Sequence, residues 1–357
     1  MPPVPDPVLR LLHVSDLHVG PLDARGLPHA PALYLREPFS GWLGHDPLAT
    51  RALARFLRQL RRDGAPVYVV TTGDLTAWGD PAQFAKAEAY LGATVLDGPS
   101  RIGLREPGWL DRAVPGNHDH WGGAGFGGTP WAFPQMMRPP TPSFHRLFGP
   151  LPQKGTPPLA VPGLPSVRFV RLDTDADVRP YSRDRFFARG SFRSHLSRLD
   201  TDLPPKAEGE VRVVLAHHCR DYRGTPRNGY RVEVDPQTRT DFDAFLVRHE
   251  ADVLLSGHTH EVGISTPTVR SPAGTRTLLY ARCGTSTGAN PRDERFKRAA
   301  GWSALDALPL AKRAERSVVL HELARSPGGP VWKAAAYRLN RRNRFEPWPR
   351  WQASHRV

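Results

Sequence analysis

Five short polar clusters in this sequence each come directly after an apolar, strand-like run, and this repeated placement restricts the fold most. The clusters are SDLH, GDL, GNHD, AHH and GHTH, and they lie between residues 15 and 260. In open α/β sheets, side chains just beyond the carboxyl ends of parallel strands meet at one edge of the sheet. We therefore expect groups from five distant parts of the chain to form a single site.

Strand and helix signals alternate through most of the chain. The segments VLRLLHVS and PVYVVTTGD are typical of buried strands. Asp46 and Pro47 predict the start of a helix, and Gly64 predicts its end. Asp80 and Pro81 predict the start of a second helix in the same way. Beyond residue 262 the strand-like pieces have no helix between them. The pattern predicts an α/β fold in which residues 262–357 supply strands of a second sheet and a basic C-terminal tail.

The length of 357 residues fits one large domain or two smaller ones, and we expect a single domain over 1–357. Residues 121–165 are crowded with Gly and Pro, as in WGGAGFGGTPW and MMRPPTPSF. Long irregular segments of this kind are often functional loops. We therefore predict a lid insertion over 121–165.

The composition gives no sign of a membrane or secreted protein. No apolar run approaches the ~18 residues of a membrane span, and the first ten residues lack the features of a secretory signal. Only Cys219 and Cys283 are present, which excludes a disulfide framework. We expect a cytoplasmic protein, and the sequence does not indicate its oligomeric state.

The formal net charge of +14 favours a polyanionic partner, and it leaves nucleic acid open as one. The arginines are scattered through a chain rich in Ala, Pro and Gly, which is equally typical of a compositional bias. The C-terminal stretch RLNRRNRFEPWPRW mixes Arg with Trp and Phe. Side chains in such a mixture stack on nucleic-acid bases in some proteins, and in others they only form the outer edge of the fold.

The residue types in the clusters predict a metal site. His, Asp and Asn without thiolates suit Mn²⁺, Fe²⁺ or Zn²⁺. In DxH and HxH, side chains two apart on an extended segment point to the same side. The candidate ligands are Asp16, His18, Asp74, Asn117, His217, His258 and His260. They are too many for one ion, so we predict two divalent ions with one carboxylate shared between them.

Two such ions, roughly 3.5–4 Å apart, clamp a phosphate and generate a bridging hydroxide that attacks phosphorus in line. No Ser or Cys nucleophile is then needed. The departing oxygen still needs a proton or a charged hydrogen bond, and we assign that role to His118. Asp119 is predicted to hold the His118 imidazole in orientation.

The motifs DxH, GD, GNH followed by Asp, a lone His after a strand, and GHxH occur here in order, and in this they resemble the calcineurin-like metallophosphoesterases. The resemblance implies a four-layer αββα sandwich, with two mixed sheets packed face to face and flanked by helices. It also implies two metal positions that share Asp74. One takes Asp16, His18 and His260, and the other takes Asn117, His217 and His258.

Several residues keep alternative interpretations. Relatives often continue the lone His with proline, whereas this chain has AHHCRD, so His217 and His218 compete as the ligand and we favour His217. Asp173 has no partner at motif spacing and is interpreted as structural, and His145 is assigned no role. Candidate substrate contacts are His120, Arg220, Tyr222, Arg223 and Asn228.

The expected function is metal-dependent hydrolysis of phosphoric esters, by a phosphodiesterase acting on a small soluble ester such as a cyclic nucleotide. A nuclease or nucleic-acid phosphatase is the enzymatic alternative, favoured by the positive charge. A non-catalytic scaffold with the same fold is the alternative from another class. That third interpretation predicts missing ligands, whereas the ligand set here is complete.

Overall fold

The computed structural model describes residues 8–20, 44–92, 102–121, 143–179, 182, 189–221, 233–288 and 316–357. Two mixed β-sheets share one cluster of buried apolar side chains, and helices flank them. A second buried cluster lies between the second sheet and the helices outside it. The predicted αββα sandwich is confirmed.

The first sheet has the strand order β13-β12-β11-β1-β2-β3. Its strands are β1 (Val8–Val14), β2 (Val67–Thr72), β3 (Ala113–Val114), β11 (Ser317–Ser326), β12 (Gly329–Leu339) and β13 (Phe345–Arg356). Strands β1, β2 and β3 are parallel, and β11 runs antiparallel to β1. The carboxyl ends of β1 to β3 therefore lie at one edge.

The second sheet has the strand order β4-β5-β6-β10-β7. Its strands are β4 (Ser166–Arg171), β5 (Glu210–Leu215), β6 (Val253–Ser256), β7 (Gly263–Ser265) and β10 (Leu279–Arg282). All are parallel except β7. A separate hairpin consists of β8 (Thr268–Ser271) and β9 (Gly274–Thr277).

The C-terminal strands differ from the sequence prediction. Of the described strands beyond residue 262, only β7 and β10 join the second sheet, whereas β11, β12 and β13 extend the first sheet from the edge of β1. The predicted basic tail is the end of that extension, because residues 345–356 form strand β13. Pairing with β1 covers a strand edge that would otherwise expose its N–H and C=O groups.

The described helices are α1 (Pro47–Arg62), α2 (Pro81–Gly92), α3 (Ser143–Phe148), α4 (Arg193–Asp202) and α5 (Pro236–Arg248). The predicted cap of α1 is confirmed, since the Asp46 carboxylate accepts from the Leu48 N–H at 2.9 Å. Helix α5 begins with the same Asp-Pro signal. The Asp235 carboxylate accepts there from the N–H groups of Gln237 and Thr238.

Residues 122–142 of the predicted lid lie outside the described residues. Its described remainder contains α3, whose Phe144 is fully buried and packs edge-on against Phe84 of α2. That part of the insertion belongs to the core. Among the described residues no helix has the length and apolar character needed to cross a membrane.

Candidate metal centre

The carboxyl ends of β1, β2, β3, β5 and β6 bring the predicted ligands together at one edge of the sandwich. Three of them form a first cluster. The Nε2 atoms of His18 and His260 lie 3.1 Å apart, and His260 Nε2 lies 3.2 Å from Asp16 Oδ1. Asp16 and His18 are fully buried and His260 is half-buried. These three atoms therefore surround one small volume at the end of β1.

A second cluster lies beside the first. His217 Nε2 is 3.1 Å from Asn117 Oδ1, 3.1 Å from His258 Nδ1 and 3.4 Å from Asp74 Oδ2. The same Asp74 oxygen lies 3.8 Å from His18 Nε2 in the first cluster. Asp74 is thus the carboxylate that lies between the two clusters.

The backbone that presents these ligands is not the extended chain that the DxH and HxH spacing predicted. Asp16, His18, Asp74, His258 and His260 all have positive φ, between 48° and 71°. Non-glycine residues adopt this left-handed region uncommonly, and such strain persists where surrounding structure fixes it. Turning of the chain at each ligand, rather than strand alternation, makes the side chains converge.

Glycines in the GD and GNH motifs leave room for the ligands. A Cβ on Gly116 would collide with Asp74 Oδ1, and one on Gly73 would lie 2.6 Å from His217 Nδ1. Gly73 also has a φ of 94°. Glycine is therefore required at both positions for the two sheets' ligands to approach each other.

The donor atoms fit a pair of divalent ions. Two pairs of imidazole nitrogens face each other at 3.1 Å, and Asp16 Oδ1 has no hydrogen-bond partner among the described residues. Burial lowers the pKa of His18 to about 3 and lowers that of His258. Both rings are consequently neutral, which is the form that binds metal.

Asp74 and His217 form a strongly attractive pair between the carboxylate and the imidazole. Burial opposes a charge on either group, but their interaction outweighs it, so the pKa of Asp74 falls and that of His217 rises to about 10. A cation bound beside Asp74 would take the place of the His217 proton, because ligands must be deprotonated.

His118 lies beside both clusters, with one ring nitrogen anchored. Its Nδ1 is 2.8 Å from the Ala77 carbonyl oxygen and donates to it, which leaves Nε2 facing Asp74 Oδ2 at 3.9 Å. The ring stacks on Trp121 with centroids 3.8 Å apart. Nε2 is therefore the atom available to a ligand bound at the clusters.

The predicted role of Asp119 is wrong in its details. Its carboxylate accepts from the N–H groups of Leu75, Thr76 and Gly116 and from the Thr76 hydroxyl, at 2.8 to 3.1 Å. The Ala77 carbonyl, instead of Asp119, orients His118. Asp119 therefore links two segments, because its carboxylate is hydrogen-bonded to the backbone of Leu75 and Thr76 after the GD motif and to the backbone of Gly116 in the GNH motif. Burial and the nearby Asp74 raise its pKa to about 6.

Comparison with known proteins agrees with this geometry. The family described as calcineurin-like phosphoesterase (Metallophos) matches residues 9–262, which is more than half of the chain and includes every predicted ligand. The chain belongs to the calcineurin-like phosphoesterase family. Its His and Asp clusters are consistent with the dinuclear metal site typical of that family.

Solved structures similar to this phosphoesterase share little sequence with it. One is the purple acid phosphatase PPD1 from yellow lupin (Lupinus luteus) seeds, 14% identical with a TM-score of 0.47, covering 93% of this chain and 52% of that one. Another is the Haemophilus influenzae NAD nucleotidase NadN, 12% identical with a TM-score of 0.37, covering 96% and 53%. This chain spans about half the length of each. No curated protein matches it by sequence.

The phosphoesterase places His217, and not His218, among the clustered ligands. His218 Nδ1 pairs instead with the Thr174 hydroxyl at 2.7 Å, and its ring packs against that of His258. Arg220, a candidate substrate contact, is bound by the Asp243 and Asp221 carboxylates. Tyr222, Arg223 and Asn228 lie outside the described residues.

A third cluster of His and Asp side chains lies outside the residues predicted as ligands. Asp173, after β4, lies between His120 Nε2 at 3.2 Å and His145 Nε2 at 2.6 Å. Burial lowers the pKa of His120, but the Asp173 carboxylate outweighs burial and raises it to about 9. The position of Asp173 at the end of a strand is the one sequence feature that indicates this cluster. Both histidines are distant from Asp173 in sequence, so no motif connects the three residues.

Proposed function

We propose that this phosphoesterase is a phosphodiesterase, and that it hydrolyses a small soluble phosphoric ester such as a cyclic nucleotide in a metal-dependent reaction. The observation that carries the proposal is the placement of His118 Nε2 beside the two ligand clusters. When bound, divalent ions supply charge neutralisation at the phosphoryl oxygens and lower the pKa of a coordinated water. The remaining chemistry depends on the chain's own residues.

The hydrogen bonds around His118 suit a proton donor. Because Nδ1 donates to the Ala77 carbonyl, any proton exchanged with substrate must move through Nε2. The His118 N–H also donates to Asp74 Oδ1 at 3.0 Å. The backbone of His118 is thereby fixed to Asp74, the carboxylate between the clusters. This bond holds the imidazole at a fixed position relative to the leaving oxygen of a bound ester.

The charges of the neighbouring residues favour a diester over a monoester. A monoester carries close to two negative charges at neutral pH, because its second pKa is about 6, whereas a diester carries one. Of the two arginines predicted to contact substrate, Arg220 lies within the described residues, and its guanidinium is bound by Asp243 and Asp221. With that cation committed to carboxylates, the singly charged ester is the better match.

A turnover screen on the metal-loaded protein tests the proposal. Matched aryl phosphate monoesters and diesters with the same leaving group are compared, together with 3′,5′-cyclic nucleotides. We expect kcat/KM for the diester to exceed that for the monoester by at least about tenfold, which corresponds to about 1.4 kcal/mol. A preference for the monoester of that size would refute the assignment as a phosphodiesterase.

A nuclease remains the second candidate, and one observation favours it. Through two antiparallel pairings β12 runs parallel to β1, so the turn after β12 lies at the same edge as the metal ligands. Arg341, Arg342 and Arg344 in that turn are exposed. By contrast Trp348 and Trp351 are partly buried against the core, which leaves them poorly placed to stack on bases.

Salt dependence discriminates between the two candidates. If a nucleic acid occupies this edge, affinity for single-stranded DNA falls steeply as salt rises, and replacing the three arginines by glutamine reduces the slope. Replacement of the exposed Arg325 by glutamine, at the opposite end of β11, is the control. Undetectable DNA binding at low salt would discard the nuclease.

A further inference from the structure

A cluster outside the predicted metal centre has the composition of a metal site. His120, His145 and Asp173 each offer one ligand atom, and these atoms lie within 4.8 Å of one another. They come from three separate elements: the turn His118–His120 after β3, helix α3, and the end of β4. His120 and Asp173 are buried, whereas the His145 side chain is 24% exposed.

The spacing within this cluster resembles that within the predicted metal centre. His120 Nε2 and Asp173 Oδ1 are 3.2 Å apart, the same separation as Asp16 Oδ1 and His260 Nε2. Ligand atoms at about 2.0–2.1 Å from a tetrahedral zinc ion are about 3.4 Å apart. His145 Nε2, at 2.6 Å from Asp173 Oδ2, must move outward by less than about 1 Å to match this. Its partial exposure at the edge of the cluster leaves room for that.

The second nitrogen of His145 supports a ligand role. His145 Nδ1 lies 3.4 Å from the Gly149 carbonyl oxygen and donates to it. In the neutral ring Nε2 then carries a lone pair, which points at a carboxylate oxygen. Two acceptors approach this closely only with a cation or a proton between them. Metal-ligating histidines usually donate their other N–H to a carbonyl or carboxylate in this way.

We propose that His120, His145 and Asp173 form a further metal site, which binds one divalent zinc ion separately from the two-ion centre. Two imidazoles, one carboxylate and one position open to solvent make a donor set that zinc commonly accepts. The ion cross-links the turn after β3, helix α3 and the end of β4. Its role is to hold these elements together beside His118, and not to contact the reacting ester.

Zinc content tests the proposal independently of activity. The full chain is stripped with a chelator, reloaded with excess zinc, freed of unbound metal and analysed for zinc per chain. We expect the wild type to hold about one ion more than Asp173→Asn and His145→Gln. His249→Gln is the matched control, because His249 Nε2 pairs with Asp200 Oδ1 at 2.7 Å, and the described residues supply no third ligand there.

Wild-type and variant proteins with equal zinc content would overturn the proposal, since the cluster would then hold only protons. Should Asp173→Asn fail to fold, His145→Gln decides, because that side chain lies at the partly exposed edge of the cluster. The His145→Gln protein also retains phosphoesterase activity, which separates this test from the proposed function. Cobalt in place of zinc gives a second measurement, as the visible spectrum of the wild type gains a tetrahedral component that the variant lacks.

Discussion

Replacement of His118 by asparagine is the sharpest test of the proposed ester hydrolysis. The asparagine amide can still donate to the Ala77 carbonyl, which His118 Nδ1 contacts at 2.8 Å. The His118 N–H to Asp74 bond is a backbone contact and survives as well. What disappears is Nε2, the His118 ring nitrogen that faces the clusters and through which a proton would be transferred.

The size of the effect follows from general acid catalysis. A positioned proton donor contributes about 10²–10⁴-fold, or about 3–5 kcal/mol of transition-state stabilisation. This contribution matters for an alkoxide leaving group and little for an activated aryl oxide, which departs without a proton. We expect kcat for alkyl or cyclic diesters to fall by that factor, while kcat for nitrophenyl diesters changes less than about tenfold.

The assay compares kcat across a series of diesters with graded leaving groups, at matched metal content. His195→Asn is the control, because His195 is 3% exposed and its Nε2 pairs with a backbone carbonyl, that of Arg171. It should show a similar stability loss with no dependence on the leaving group. Equal losses for alkyl and aryl esters in His118→Asn would refute the role of His118 as proton donor.

Three further predictions concern the metal centre and its surroundings. Asp74→Ala removes the carboxylate shared by both clusters, so turnover and metal content should be lost while circular dichroism is unchanged; normal turnover would contradict a two-ion site. Gly116→Ala overlaps Asp74 Oδ1, so it should cost about 1–3 kcal/mol in urea unfolding and reduce metal content. Gly92→Ala, whose Cβ would make only a 3.4 Å contact, should do neither. In chelator the His120 imidazolium stabilises the fold fully below pH ~6.5, its unfolded pKa. That stabilisation should disappear as the pH rises through its folded pKa of about 9. The loss is up to about 3 kcal/mol in unfolding free energy, and an unchanged pH slope in His120→Gln would count against it.

Sequence reasoning was most successful where local chemistry dominates. Asp46 and Pro47 start helix α1 as predicted, because a carboxylate cap and a fixed φ act within one turn. The apolar runs form strands, and their carboxyl ends meet at one edge. Of the two neighbouring histidines after β5, His217 is the one whose side chain reaches Asn117.

It failed where partners are distant in sequence. Which sheet accepts β11 depends on the hydrogen bonds available along β1, some three hundred residues away, and no local pattern encodes that. The orientation of His118 was assigned to its neighbour Asp119, whereas a carbonyl from the GD loop provides it. The two histidines that contact the Asp173 carboxylate come from other elements, 53 and 28 residues away in sequence.

The sequence by itself determined the metal-binding chemistry of this protein, because the identity of a donor atom is a property of the residue. It also determined the helix starts and strand positions, which depend on short-range forces. Only the tertiary structure decided how the donors are aimed. Left-handed backbone at Asp16, His18 and Asp74, and glycine at 73 and 116, are tolerated because packing between the two sheets holds them there. The close approach of the donor atoms is therefore a property of the assembled sandwich, because the backbone strain at these positions is offset by contacts between the sheets that no single segment makes.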